Sequence, residues 1–158
     1  MSGPAFDELL RRLAEAEVEF VLVGGLALNA WGVVRGTKDV DVVLSTETEN
    51  LKRVAKIAVA AGGHVQQGEA LFGSSVSIAA ALAGGEQVAI ETDLGRLDVV
   101  QGLDGVPSFE ELRPRAVEAE ILGSTVLVCS RDDLKAMKRA AGRTSDLADL
   151  EDLDATSS

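Results

Sequence analysis

Between Phe20 and Leu44 the chain reads FVLVGGLALNAWGVVRGTKDVDVVL, and this stretch decides the fold. Phe20 to Val23 is a short continuous apolar run, the pattern of a buried strand. It stops at Gly24-Gly25. The apolar, Ala-containing segment Leu26 to Trp31 that follows is consistent with a short packed helix. A second strand is expected over Val40 to Leu44. Side chains alternate across a strand, so Asp39 and Asp41 project from one face while Val40, Val42 and Leu44 turn to the core.

Working outward, residues 5–16 carry Phe6, Leu9, Leu10 and Leu13 at helical spacing, which predicts an amphipathic helix with an acidic outer face. Thr48 to Ala61 has good helix formers, with Leu51, Val54, Ala55 and Ala58 on one side and Lys52, Arg53 and Lys56 towards solvent. Gly62-Gly63 closes that helix. The middle, His64 to Val100, is rich in Gly and poor in charge, and strands are expected near Ser75 to Ala80, Gln87 to Glu91 and Arg96 to Val100. Pro107 and Ser108 open a short helix through Leu112, alternation follows at Val117 to Ile121, and a strand is expected at Thr125 to Val128. Two helical segments end the chain, Arg131 to Ala141 and Ser145 to Leu153, joined at Gly142, with a frayed end at Thr156 to Ser158. The fold class is therefore α+β. A single domain is expected over residues 1–158, with a core of about 18–128 and C-terminal helices over about 130–154.

Composition narrows the function. The chain has 158 residues, 26 Asp plus Glu against 15 Lys plus Arg, and a net charge of −11. This disfavours a general nucleic-acid coat, because phosphate binding draws on a basic surface. Five aromatics (Phe6, Phe20, Trp31, Phe72, Phe109) and no Tyr supply base-stacking platforms poorly. The lone Cys129 precludes an internal disulfide and a Cys cluster for zinc, which predicts a reducing, cytoplasmic setting. No run approaches the ~20 apolar residues of a membrane span, so no membrane partner is expected. His64, Trp31 and Cys129 read as structural residues.

The Asp39/Asp41 pair carries the chemistry. Like charges this close repel unless a cation sits between them or one takes up a proton. Oxygen ligands of this kind suit Mg²⁺ or Mn²⁺. A third carboxylate, Asp98, lies within the strand-like run Arg96-Leu-Asp-Val-Val100. An isolated pair of alternating acids more often lines a solvated strand edge. Gly24-Gly25, between strand and helix, changes that balance, because missing side chains and free amides let a phosphate approach the backbone. Residues 129–143 hold five basic side chains (Arg131, Lys135, Lys138, Arg139, Arg143) and two acids, a local excess of +3 inside an acidic chain. Lys135 shares a helix face with Lys138 and Arg139.

The order strand, Gly-Gly, short helix, Arg35-x-Thr37-x-Asp39-Val-Asp41, then a later strand acid at Asp98, resembles the nucleotidyltransferase superfamily that includes polymerase beta and small antibiotic nucleotidyltransferases. Within it the chain is similar to the AbiEii-like, toxin-type branch, which also carries a helix with a Lys followed by an acidic helix start; here these are Lys135 to Lys138 and Asp146. The resemblance touches residues 20–44, 96–100 and 135–150. It implies a minimal nucleotidyltransferase fold, a mixed β-sheet flanked by helices, and metal-dependent transfer of a nucleoside monophosphate from an NTP with release of pyrophosphate. By that analogy Asp39, Asp41 and Asp98 ligate Mg²⁺ or Mn²⁺, and Asp98 helps activate the acceptor hydroxyl. Gly24, Gly25, Arg35, Thr37, Lys135, Lys138 and Asp146 hold or position the triphosphate. Lys138 matches the branch best and counts with the three acids as catalytic.

The acceptor is left open among small molecules, tRNA or other RNA, and protein, and the branch adds a cognate antitoxin and a homodimer as candidate partners. Two other readings stand beside this one: a nucleotide- or partner-binding protein on the same scaffold without turnover, and an aminoglycoside-type antibiotic nucleotidyltransferase.

Overall fold

The computed structural model describes residues 4–156. Helix α1 (Phe6–Glu15) buries Leu9, Leu10 and Leu13 and holds Arg11 between Glu8 and Glu15 on its outer face. Strand β1 (Phe20–Val23) is buried along its whole length and runs straight into α2 (Gly24–Ala30). Strand β2 (Asp39–Leu44) carries the acidic pair, its apolar residues buried and both Asp half-buried. Helix α3 (Thr48–Ala60) follows, with the apolar face expected from its spacing.

The middle of the chain departs from the sequence expectation in two places. Ser75 to Ala80, expected as a strand, is the start of helix α4 (Ser75–Ala83). The physical reason lies at its entry. The Ser74 hydroxyl accepts from the Ser77 amide at 3.1 Å, and the Ser77 hydroxyl accepts in return from the Ser74 amide at 3.2 Å, a reciprocal cap that satisfies two helix-start donors. Ile78 and Leu82, four residues apart, then bury one helical face. The second departure is a small hairpin, β3 (Val65–Gln67) and β4 (Ala70–Phe72), turning at Gly68-Glu69. It is mostly exposed, so no core-facing alternation marked it in the sequence.

Strands β5 (Val88–Thr92) and β6 (Gly95–Val99) form an antiparallel pair. After the short α5 (Phe109–Leu112) and a 3-10 turn come the hairpin β7 (Val117–Ile121) and β8 (Ser124–Val128), then α6 (Arg131–Ala141) and α7 (Thr144–Ala155). The end of the chain was expected to fray. Thr156 is instead tied down, donating from Oγ1 to the Leu153 carbonyl at 2.7 Å and accepting from Arg131 at its own carbonyl at 3.2 Å. Ser157 and Ser158 lie outside the described residues.

One mixed sheet organises the molecule, in the order β5-β6-β2-β1-β8-β7. The β2–β6 and β1–β8 pairs are parallel and the others antiparallel. Helix α2 packs on β1 and β2, α1 on β8, α4 on α3, and α7 on α6. The α+β expectation and the mixed, helix-flanked sheet are both realised. Among the described residues no helix is long and apolar enough to cross a membrane.

Candidate active site

The parallel register of β2 and β6 sets Asp41 opposite Asp98 and Asp39 opposite Arg96. Residues far apart in the chain, Asp41 and Asp98 among them, thus become neighbours on one sheet face. One carboxylate oxygen from each of Asp39, Asp41 and Asp98 lies within 4.8 Å of the others. Asp98 is buried, and Asp39 and Asp41 are half-buried. Oδ1 of Asp41 is buried with no hydrogen-bond partner in the protein. Burial, then the neighbouring carboxylates of Asp98 and Asp39, push the Asp41 carboxyl up to about 7, against the pull of Lys138 and Arg96. A cation would relieve this repulsion and satisfy the orphaned oxygen, and the all-carboxylate donor set suits a hard divalent ion such as Mg²⁺ or Mn²⁺.

Both glycines are required by their surroundings. Gly24 has φ of +68°, and a Cβ there would overlap the Asp41 carboxylate. A Cβ on Gly25 would come within 2.6 Å of Thr37 Oγ1. Thr37 donates from that hydroxyl to the Asp39 carbonyl at 2.8 Å, so it ties the loop before β2 to the acidic strand. Asn29, which sequence reasoning passed over, pins the same loop by donating to the carbonyls of Val33 and Arg35 at 2.9 and 3.0 Å.

The basic groups are distributed less simply than their spacing suggests. Lys138 Nζ lies 2.9 Å from Asp149 and 3.3 Å from Asp146, both buried acids of α7. Arg35 pairs with Asp149, and Arg143 with Asp146 at 2.7 Å. Burial alone would raise the Asp146 carboxyl. The hydrogen bonds from Arg143 and the charge of Lys138 overcome that and hold it below the usual carboxylate range. Asp149 went unassigned in the sequence, although its spacing from Asp146 on a helix start could have singled it out. Lys135 turns away: it pairs with the exposed Asp154 at 2.5 Å and does not line the cleft that holds the three acids, whereas Lys138 and Arg143 do. Gln87 is a third residue missed by sequence reasoning, after Asn29 and Asp149. Its side-chain amide donates to both oxygens of Asp98, at 3.0 and 3.1 Å.

These groups meet in a cleft of about 500 Å³ whose lining includes Gly24, the three acids, Lys138, Arg143 and Asp146 on its polar side. Leu103, Val106, Leu134 and Met137 give it an apolar side. It thus offers a cation site, basic side chains for phosphates and an apolar wall. The profile of the family described as "Nucleotidyl transferase AbiEii toxin, Type IV TA system" matches residues 8–151. The chain belongs to the AbiEii nucleotidyl transferase family. The match runs through the middle of the chain, which the resemblance in sequence did not reach.

Solved structures carry the same fold. The lincosamide antibiotic adenylyltransferase LnuA, lincomycin-bound, aligns with a TM-score of 0.65 at 12% identity, over 97% of this chain and 96% of its own. The antibiotic-resistance factor ANT(2'')-Ia aligns at 0.62 with 16% identity, over 94% of this chain and 80% of its own. An antigenic nucleotidyltransferase-like protein from Paracoccidioides brasiliensis aligns at 0.55 with 14% identity, over 93% and 72%. No curated protein matches the sequence. Family and fold together make this AbiEii member a nucleotidyltransferase.

Proposed function

We propose that the protein moves a nucleoside monophosphate from an NTP to a hydroxyl acceptor and releases pyrophosphate, with Asp39, Asp41 and Asp98 holding Mg²⁺ or Mn²⁺. The observation that carries this reading is the convergence of the three carboxylates around the partnerless, buried Oδ1 of Asp41. When bound, the divalent ion would screen phosphate charge and favour in-line displacement. The protein's own groups do the rest. Gly24 leaves open the space that the phosphates need beside Asp41. Lys138 and Arg143 meet the triphosphate from α6 and its end, with Asp146 and Asp149 orienting Lys138. Thr37 and Arg35 act indirectly, by fixing the acid loop. Lys135, paired with Asp154, takes no part in this reading.

In the transfer the acceptor oxygen bonds to the α-phosphorus as the bond from that phosphorus to the bridging oxygen breaks. Pyrophosphate departs with the bonding pair, and Asp98 accepts the hydroxyl proton. The family's toxin–antitoxin setting supports a toxic activity restrained by a cognate antitoxin. The direct test is pyrophosphate release from NTPs with Mn²⁺ and pooled acceptors, alongside calorimetric titration of NTP. Asp39→Ala is expected to abolish both release and Mn²⁺-dependent binding; retention of both in that variant overturns the reading.

A further inference from the structure

The Gln87 side chain governs how Asp98 can meet a cation. Its amide nitrogen lies 3.0 and 3.1 Å from the two Asp98 oxygens. Near-equal reach to both sets the nitrogen across the open edge of the carboxylate, between the oxygens, where a cation gripped by both of them would also sit. The edge is filled. Each oxygen keeps its outer lone pair, so Asp98 can still bind a metal through one oxygen at a time. One of its oxygens lies within 4.8 Å of an oxygen from each of Asp39 and Asp41. The other remains for the hydroxyl proton.

The arrangement comes from strand pairing. In the β5–β6 ladder Val88 sits opposite Val99 and Ala89 opposite Asp98, and Gln87 is the residue just before β5. It reaches Asp98 from the neighbouring strand and lines the same cleft. An amide oxygen turned to the carboxylate would be repelled, so it is the nitrogen that faces Asp98. An amide also holds the carboxylate without neutralising it. A Lys or Arg in its place would compete with the metal for the same charge.

We propose that Gln87 sets the ion preference of the site: by holding the open edge of Asp98 it limits that ligand to one oxygen, and so favours Mg²⁺ or Mn²⁺ over Ca²⁺. The inference rests on the transferase reading above and adds to it the residue that selects the metal. Mg²⁺ takes about six oxygens in a near-ideal octahedron at about 2.0–2.1 Å, and usually keeps several waters among them. Ca²⁺ takes up to about eight at about 2.3–2.6 Å and commonly grips a carboxylate by both oxygens. Carboxylates offering one oxygen each suit the first shell and undersupply the second. Freeing the edge of Asp98 would add an oxygen that Ca²⁺ can use and an octahedral ion cannot.

The test uses the full chain stripped of metal with EDTA and then titrated with Mn²⁺ or Ca²⁺, the rise of the melting temperature with ion concentration giving each affinity. The parent protein is expected to bind Mn²⁺ more tightly than Ca²⁺. Gln87→Ala, which opens the edge, should shift the ratio of the two affinities towards Ca²⁺ by about tenfold. Gln87→Glu turns the blocking amide into a further ligand and should shift the ratio the same way. Gln87 is exposed and precedes its strand, so both variants should melt cooperatively in EDTA; if Gln87→Ala does not fold, Gln87→Glu reads the same ratio. A residue that merely supported the fold would weaken both ions together and leave the ratio where it was. An unchanged ratio, a shift towards Mn²⁺, or a parent that binds Ca²⁺ as tightly as Mn²⁺ overturns the assignment while leaving the transferase reading in place. Failure of both ions to raise the parent's melting temperature overturns both.

Discussion

Replacing Asp41 by Asn should stabilise the metal-free protein, a result that runs against the usual cost of altering a catalytic residue. Asp41 is an ordinary carboxylate in the unfolded chain, near 3.8, and is pushed up to about 7 in the fold by burial and by Asp98 and Asp39. The folded state therefore holds the proton more tightly than the unfolded state. Stability from this group is complete below pH 3.8 and is lost as pH rises through 7. A shift of about 3 units at ~1.4 kcal/mol each sets an upper limit of about 4 kcal/mol. Partial exposure and solvent screening reduce this to about 2 kcal/mol. Asn removes the charge and keeps the shape. For a chain of this size that corresponds to about 4–8 °C in Tm.

Calorimetric melts at pH 8 in EDTA should show Asp41→Asn above the parent protein, with the gap narrowing steadily towards pH 4. Adding Mn²⁺ should raise the parent's Tm in a concentration-dependent way and leave the variant's unchanged. Equal or lower Tm for the variant at pH 8 in EDTA, or a gap that does not change with pH, would refute the account of a strained, cation-seeking cluster.

Gly24→Ala should lower stability by about 2–4 kcal/mol, since it combines a positive φ with overlap of the Asp41 carboxylate. Chemical denaturation measures this, and Mn²⁺ binding should fall with it. Lys138→Met should cost about 3 kcal/mol by leaving Asp146 and Asp149 with one fewer cation in a buried network, whereas Lys135→Ala should cost less than about 1 kcal/mol because its partner Asp154 is exposed. The same pair separates the two lysines by function: NTP affinity, read by titration, should drop for Lys138→Met and hold for Lys135→Ala.

Much of the site was legible in the residues themselves. Phe20–Val23, the glycine pair and Asp39–Leu44 are local features, and their reading needs only strand alternation and the absence of a Cβ, so the structure meets it almost residue for residue. The segment Ser75–Ala83 shows where local reading fails. Its apolar run is compatible with strand or helix, and the decision falls to the reciprocal Ser74–Ser77 cap and the burial of Ile78 and Leu82. Lys135 and Lys138 illustrate the same limit for function. Three residues apart on one helix, they look interchangeable in sequence, but α7 sets Asp146 and Asp149 against one and Asp154 against the other. The acidic tail from Asp146 to Asp154 likewise lacks a basic residue of its own, and finds its counter-charges in Arg35, Lys138 and Lys135 only once α7 docks.

By itself, then, the sequence determined which chemistry is available: three strand acids, two adjacent glycines and one basic helix in an otherwise acidic chain. These are properties of residue type and short spacing, and they survive without knowledge of what lies across the sheet. Tertiary structure alone decided that Asp98 joins Asp39 and Asp41, because that depends on β6 adding in parallel beside β2 in a register that puts Asp98 opposite Asp41. It also decided that the Gln87 amide donates to both oxygens of Asp98. Pairing between strands distant in the chain is set by packing of the whole sheet, and no local pattern encodes it.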